Sequence, residues 1–149
     1  MRNNQTLAFA VVSLFAMGAN FASAANPRDV ARVKNVSRLG ECTGCDLSGA
    51  NFENGFFQLA ILNKANFSGS NLNGANLAGA QLNDANLQNS TLRYANLSGA
   101  RLEGADLRGA DLSYAWLNWA WLQGAKLDGA NMSNAVFIGS QIQGTDLSK

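Results

Sequence analysis

Two cysteines three positions apart are the residues of this chain whose type and spacing are most suggestive of chemistry. Cys42 and Cys45 enclose one Thr and one Gly, and such a motif can form a structural disulfide or a redox-active pair. Redox activity requires an exposed thiolate, usually at a helix N-terminus, and two cysteines without histidine do not complete a tetrahedral zinc site. We expect a structural disulfide between Cys42 and Cys45, with inert buried thiols and a redox pair as the alternatives.

No second set of residues points to catalysis. The chain contains no histidine, so neither a Ser-His-Asp nor a Cys-His arrangement can be built. Asp106 and Asp111 form the most suggestive pair of carboxylates, and we predict that both lie on a solvated surface. The sequence therefore predicts a protein that is not an enzyme, with no catalytic residue, no metal and no cofactor.

The elements that position these residues follow a period of five that runs from Cys42 to the C-terminus. Every fifth residue from 47 to 147 is large and apolar, and the residue two before it is small, usually Ala. The repeat is A-[N/D]-L-x-G, as in residues 75–79. On an α-helix this period advances about 500°, so no apolar stripe forms. On one long strand it alternates between the two faces.

The two inward positions are two residues apart, which is the spacing of a strand. Each small-x-Leu segment is therefore predicted to be a three-residue strand, and the next two residues must turn the chain. The second turn position is often Gly, a residue that tolerates positive φ. A chain that turns the same way at every fifth residue closes into a coil, and stacked coils form a solenoid.

The segment from Cys42 to Leu147 resembles the pentapeptide-repeat proteins. The resemblance implies an all-β solenoid, a right-handed quadrilateral β-helix with four pentapeptides per coil. At twenty residues per coil the segment would make about five coils, a rod roughly 25 Å long at the usual strand spacing. Family resemblance also associates such exported proteins with the bacterial periplasm and the thylakoid lumen of phototrophs.

The first 24 residues have the pattern of a secretory signal peptide. A basic residue, Arg2, precedes the apolar stretch 7–19, and Ala22-Ser23-Ala24 is a small-x-small cleavage sequence. The apolar stretch is shorter than the ~20 residues of a membrane span. We predict cleavage after Ala24, a periplasmic or secreted protein and no stable membrane anchor after cleavage. A retained anchor is the alternative.

Residues 25–41 are predicted to be an N-terminal cap helix and lead-in before the β-helix of 42–149. Asn26 is a helix N-cap candidate, Pro27 suits the first helical position, and Asp29 lies in the first turn. A helix over 26–39 would place Val30 and Val33 on one apolar side. Such a helix would cover strand edges that otherwise invite aggregation; a basic membrane-surface helix is the alternative.

Two apolar clusters occur at repeat positions that should face water. The Phe56 cluster is Phe56, Leu59 and Ile61; the Trp cluster is Trp116, Trp119 and Trp121, with Tyr114 beside it. The offset between them is sixty residues, or three coils, so both are predicted to lie on one edge of the rod, about 14 Å apart. Arg101 lies one coil below Trp121, within reach of a cation–π contact.

We interpret this edge as a surface for a protein partner or for self-association, because Trp is enriched at binding hot spots. A carbohydrate or cell-wall binding module that uses the exposed Trp edge is the alternative. A third interpretation is that the rings only shield glycine backbone in the neighbouring coils.

Nucleic acid is not the expected partner. Several pentapeptide-repeat proteins are acidic DNA mimics that protect a type II topoisomerase, and the resemblance raises that possibility. From Cys42 onward the chain has eight acidic and six basic residues, so the strong negative field that mimicry needs is missing. Direct binding of nucleic acid is not supported either, because the sequence has no basic stripe.

Overall fold

The structure is a computed structural model that describes residues 25–34 and 41–145. The expected signal peptide of 1–24, residues 35–40 and residues 146–149 lie outside the described residues. One α-helix, α1, covers Pro27–Lys34. Residues 41–145 form a stack of coils.

The coils are held together by parallel bridges between residues twenty positions apart. Along one side of the stack the bridges join, in order, Phe56, Asn76, Asn96, Trp116 and Val136. Twenty residues therefore make one coil of four five-residue sides, which confirms the register expected from the repeat. The expected three-residue strands are wrong: each side contributes a single bridged residue to a coil, because the chain enters the next turn two residues later.

Every corner of the coil has the left-handed backbone that the repeat predicts. The corner residues, at every fifth position from 44 to 144, have φ between 54° and 71°. Twelve are Gly, for which this conformation carries little cost. The nine others include Leu59 and Trp119, with φ of 61° and 60°. Large side chains rarely adopt this conformation.

The interior of the stack is a column of large apolar residues beside a column of small ones. Each large residue from Leu47 to Leu127 is at most 5% exposed. In the last described coil Met132 and Phe137 are only partly buried. Ile142, expected to point inward, is 45% exposed, because no further coil stacks on it within the described chain.

The Asn or Asp of the repeat supports the turn that follows it. Asn76 Oδ1 accepts a hydrogen bond from the backbone N–H of Ala78 at 3.1 Å, and Asn96 Oδ1 accepts one from Ser98 at 3.0 Å. These turn N–H groups make no backbone bond to a neighbouring coil. The side-chain oxygen therefore satisfies a donor that the stack leaves unpaired.

Helix α1 packs on the first coil. Asn26 Oδ1 accepts a hydrogen bond from Arg28 N at 3.0 Å, as expected for an N-cap, and Val30 joins the apolar core. Asp46 N donates to Asp29 Oδ2 at 3.0 Å, and Asp46 O accepts from Asn26 N at 3.1 Å. One coil higher, the equivalent residue is Asn66, and both of its backbone groups bond to the coil below. Its N–H donates to Cys45 O, and its C=O accepts from Leu47 N. The chain around α1 thus supplies partners where no earlier coil lies within the described residues.

Candidate functional site

The two cysteines form a disulfide at a corner of the first coil. Their Cα atoms are 5.3 Å apart, and Cys42 and Cys45 are both almost completely buried. The carbonyl oxygen of Asp29 lies 3.8 Å from Cys42 Sγ, and Arg32 Nη1 lies 3.9 Å from Cys45 Sγ. Helix α1 therefore covers the sulfurs, an environment that supports a structural bond rather than thiol–disulfide exchange.

The two carboxylates considered in the sequence each have structural partners. Asp106 is held by Arg108, whose Nε and Nη2 donate to its two oxygens at 2.8 and 2.6 Å. Asp111 Oδ1 accepts from the backbone of Ser113 at 3.0 Å and from Asn131 Nδ2 at 3.1 Å. Hydrogen bonding to the Arg108 guanidinium holds the pKa of Asp106 below its usual range, although partial burial opposes that shift.

This lowered pKa predicts a loss of stability in acid. The folded pKa of Asp106 lies below the unfolded value of about 3.9, so its stabilising contribution is present above that value. The contribution is lost as the pH falls from about 4 through the folded pKa. Asp106→Asn should therefore make the free energy of unfolding less pH-dependent below pH ~4, measured by urea melts across this range. An unchanged acid dependence would contradict this role for Asp106.

The described residues were also compared with the requirements of a metal site and of a membrane-spanning helix. In 25–34 and 41–145, no group of three Cys, Asp or Glu side chains is arranged to hold a metal ion. The same part of the chain has no helix long and apolar enough to cross a membrane.

One of the four sides of the stack carries no charged residue. We call it the aromatic side; it consists of segments 55–59, 75–79, 95–99, 115–119 and 135–139. Each of the other three sides has charged residues, for example Arg101, Asp106 and Arg93. The aromatic side therefore gives the rod one uncharged flank over five coils.

The structure places the two predicted clusters on this side and around its corner. Phe56, Leu59 and the three tryptophans are between 41% and 67% exposed, whereas Ile61 is half-buried. The bridges from Phe56 to Trp116 cross three coils, as the sixty-residue offset predicts. The expected contact of Arg101 is also present: its Cζ lies 5.7 Å from the Trp121 ring centroid, and its Nη2 lies 3.1 Å from Glu103 Oε1.

A stacked tyrosine pair at the neighbouring corner extends the exposed aromatic surface. Tyr94 stacks on Tyr114 with ring centroids 5.0 Å apart and planes at 16°. Arg93 Cζ lies 5.9 Å from the Tyr94 ring centroid. Sequence reasoning included Tyr114 but missed Tyr94 and Arg93. The twenty-residue offset between the two tyrosines was the signal that could have found Tyr94.

The shielding interpretation explains only part of this surface. The Trp119 ring lies against the space where Gly139 would carry a Cβ, and Leu59 Cδ2 is 2.7 Å from the corresponding point at Gly79. Gly99, by contrast, is not shielded, because no atom lies within 4 Å of the position where a Cβ would stand. Trp119 nevertheless remains 66% exposed, so covering glycine backbone does not account for most of its surface.

These apolar residues replace side chains that would support the fold. Phe56, Ile61, Trp116 and Trp121 stand where the repeat prefers Asn or Asp, and the turn N–H groups that follow them have no acceptor within the described chain. Those four groups belong to Gln58, Asn63, Asn118 and Gln123. Because each replacement gives up a turn hydrogen bond, stability alone does not explain the apolar residues.

Comparison with known proteins gives a consistent match. The family model described as Pentapeptide repeats matches in eight copies over residues 41–79, 70–109, 85–120 and 117–149. Together these segments cover residues 41–149. No curated protein matches the chain significantly.

Several solved structures are similar to the chain. The pentapeptide repeat protein alr5209 from Nostoc Pcc 7120 is 32% identical over 68% of this chain and 83% of that one, with a TM-score of 0.56. Rfr23 from the cyanobacterium Cyanothece 51142 is 30% identical over 80% and 95%, with a TM-score of 0.46. AT2G44920, from the Arabidopsis thaliana thylakoid lumen, is 35% identical over 74% and 67%, with a TM-score of 0.33.

Proposed function

Because the chain belongs to the pentapeptide-repeat family, we propose that it is an exported, non-enzymatic β-solenoid that binds another protein molecule through its aromatic side. The coils serve as a rigid scaffold and α1 caps the first of them. The observation that carries the proposal is the exposed aromatic surface on an uncharged side, at positions where the repeat would place Asn or Gly. Aromatic residues and Arg are enriched in interface hot spots.

The energetic cost of this surface supports the proposal. Trp119 occupies a left-handed corner, which for a large side chain costs on the order of 1 kcal/mol. Trp116 and Trp121 leave turn N–H groups without an acceptor in the described chain, each worth about 0.5–1.5 kcal/mol when bonded. Proteins often accept lower stability where a surface is needed for function.

This cost gives a mutational test. A triple variant with Trp116→Asn, Trp119→Asn and Trp121→Asn should restore the side-chain acceptors and place a residue that tolerates positive φ at the corner. Its free energy of unfolding should equal or exceed that of the wild type, whereas binding of partners captured from the exported compartment should be lost. Denaturant melts and pull-downs measure the two quantities.

The matched control is Asn51→Ala on a different side, which removes a turn acceptor and leaves the aromatic side intact. It should lower stability by about 0.5–1.5 kcal/mol and retain binding. The proposal is wrong if the Trp variant retains its association state and every captured partner.

Carbohydrate binding is the second candidate. Exposed indole rings lie near amide side chains on this surface: Gln141 bridges to Trp121, and Gln123 Nε2 donates to Gln141 Oε1 at 2.6 Å. Stacking on a ring beside amide hydrogen-bonding groups suits a sugar. Glycan-array binding by the wild type that disappears in the triple Trp variant would assign the surface to carbohydrate instead.

Export and oxidation are tested together. We expect the mature chain to begin at Ala25 and to carry one Cys42–Cys45 bond. Intact-mass measurement of exported protein, before and after reduction and alkylation, should show loss of residues 1–24 and two alkylated cysteines only after reduction. An uncleaved N-terminus would contradict the export step. Free alkylation of both thiols in unreduced, denatured protein would contradict the disulfide.

A further inference from the structure

The residues in the first four of the five coils of the aromatic side are distributed symmetrically about the middle of that stretch. In the bridged column, Phe56 and Trp116 flank Asn76 and Asn96. In the corner column the order is Leu59, Gly79, Gly99 and Trp119. Over these four coils both columns are large at the two ends and polar or small between them, with the midpoint between the second and third coils; the fifth coil, with Val136 and Gly139, lies beyond this symmetric stretch.

A column with this symmetry can match a second copy of itself. Consider a two-fold axis that lies in the plane of contact, perpendicular to the rod axis and level with this midpoint. Such an axis brings the aromatic sides of two copies face to face with their rods antiparallel. Each residue then faces the mirror position of its own column, as an isologous interface requires. Phe56 lies opposite the partner's Trp116, and Leu59 lies opposite the partner's Trp119.

The other corner of the side also fits the antiparallel arrangement. Its column runs Asn54, Gly74, Tyr94 and Tyr114, so Tyr94 would face the partner's Gly74, over which the Asn54 amide lies, and Tyr114 would face the partner's Asn54, with which its hydroxyl can form a hydrogen bond. In a parallel pair the two different corner columns would meet instead. That arrangement sets Leu59 opposite the partner's Asn54, an apolar side chain against a polar one.

The charge distribution favours the same occupant. Two copies of a charged side would bring charges of fixed sign into contact, which costs free energy wherever like charges meet. The aromatic side has no charged residue over its five coils. Self-contact of this side therefore brings no like charges together within the segments that meet.

We propose that the partner of the aromatic side is a second copy of this chain, bound antiparallel so that the Trp cluster of each copy contacts the Phe56 cluster of the other. This inference rests on the proposed function, since it names the partner of the same surface. An interface confined to one side of a five-coil rod is small, and we expect a dissociation constant in the micromolar range rather than the nanomolar range.

Three proteins test the arrangement: the wild type, the triple Trp→Asn variant above, and a variant with Phe56→Asn, Leu59→Asn and Ile61→Asn. Sedimentation velocity of the mature proteins over a micromolar to near-millimolar series should show a wild-type mass that rises from monomer and stops at dimer. Each variant alone should dimerise at least about 100-fold more weakly, because every contact in its homodimer lacks one cluster.

The decisive sample is an equimolar mixture of the two variants. An antiparallel heterodimer retains one intact Trp–Phe56 contact, so the mixture should dimerise at least about 10-fold more tightly than either variant alone. In a parallel pair, each cluster would contact the same cluster of the other copy. Because the two variants lack different clusters, their heterodimer would then have no contact between two unchanged clusters. No gain on mixing therefore overturns the antiparallel arrangement, and growth of the wild type beyond a dimer overturns the closed pair.

Further outcomes separate this inference from the proposed function. A wild type that stays monomeric throughout the series, while its captured partners depend on the Trp cluster, overturns self-association and leaves the proposed function intact. A monomeric wild type whose partners are retained by the Trp variant overturns both. Binding of glycans alone by the wild type also overturns both.

Discussion

Leu97→Ala is expected to lower the free energy of unfolding by about 2–5 kcal/mol. Leu97 is completely buried in a middle coil, and the repeat places Leu77 and Leu117 one coil below and above it. Both neighbours are also completely buried. Because close-packed coils cannot collapse into the vacated space without shifting their backbone bonds, truncation should leave a cavity. Urea melts of the mature protein measure the change.

The adjacent residue provides the control. Ser98 faces outward and is half-buried, and its backbone N–H bonds to Asn96 Oδ1, a contact that a side-chain substitution leaves in place. Ser98→Ala should change stability by less than about 0.5 kcal/mol. Equal losses in the two variants would contradict the assignment of inward and outward positions.

Ala100→Leu is the second substitution with a large expected effect. Ala100 belongs to the small inward column, between Ala80 and Ala120, and all three are completely buried. A leucine at this position has no free space and must displace packed neighbours. We expect a loss of about 1–3 kcal/mol, or more if the coil cannot expand.

Ser68→Leu is a matched control for Ala100→Leu, because it adds a leucine at a half-buried outward position on a different side. Its effect on the free energy of unfolding should stay within about 0.5 kcal/mol. If Ala100→Leu is equally mild in the same melts, the small column is not a packing requirement of the coil.

The sequence was sufficient to predict the coil register, because a five-residue period with inward residues two apart leaves few backbone solutions. The same register correctly related Phe56 to Trp116 and Arg101 to Trp121. The extent of regular pairing could not be predicted: whether a side of three extended residues forms a strand or a single bridge depends on where each turn begins. The exposure of Ile142 depends on what stacks above it, which a residue pattern does not show.

The surface was predictable in its largest residues and not in its details. Tyr94 was missed because it stands alone in its coil, although its twenty-residue offset from Tyr114, on which it stacks, could be seen in the sequence. The turn-supporting role of the repeat's Asn depends on hydrogen-bond geometry that composition does not reveal. Once that role is known, Phe56 and Trp116 are recognisable as departures that cost the fold a hydrogen bond.

The central claim is that the aromatic side is a binding surface, and hydroxyl-radical footprinting tests it most directly. The wild-type protein would be labelled when dilute and purified, and again in concentrated extract of its own compartment. We predict that labelling of Trp116, Trp119 and Trp121 falls in the extract relative to Met132, which lies on another side of the stack. Equal labelling of the three tryptophans in both samples, after normalisation to Met132, would contradict the claim.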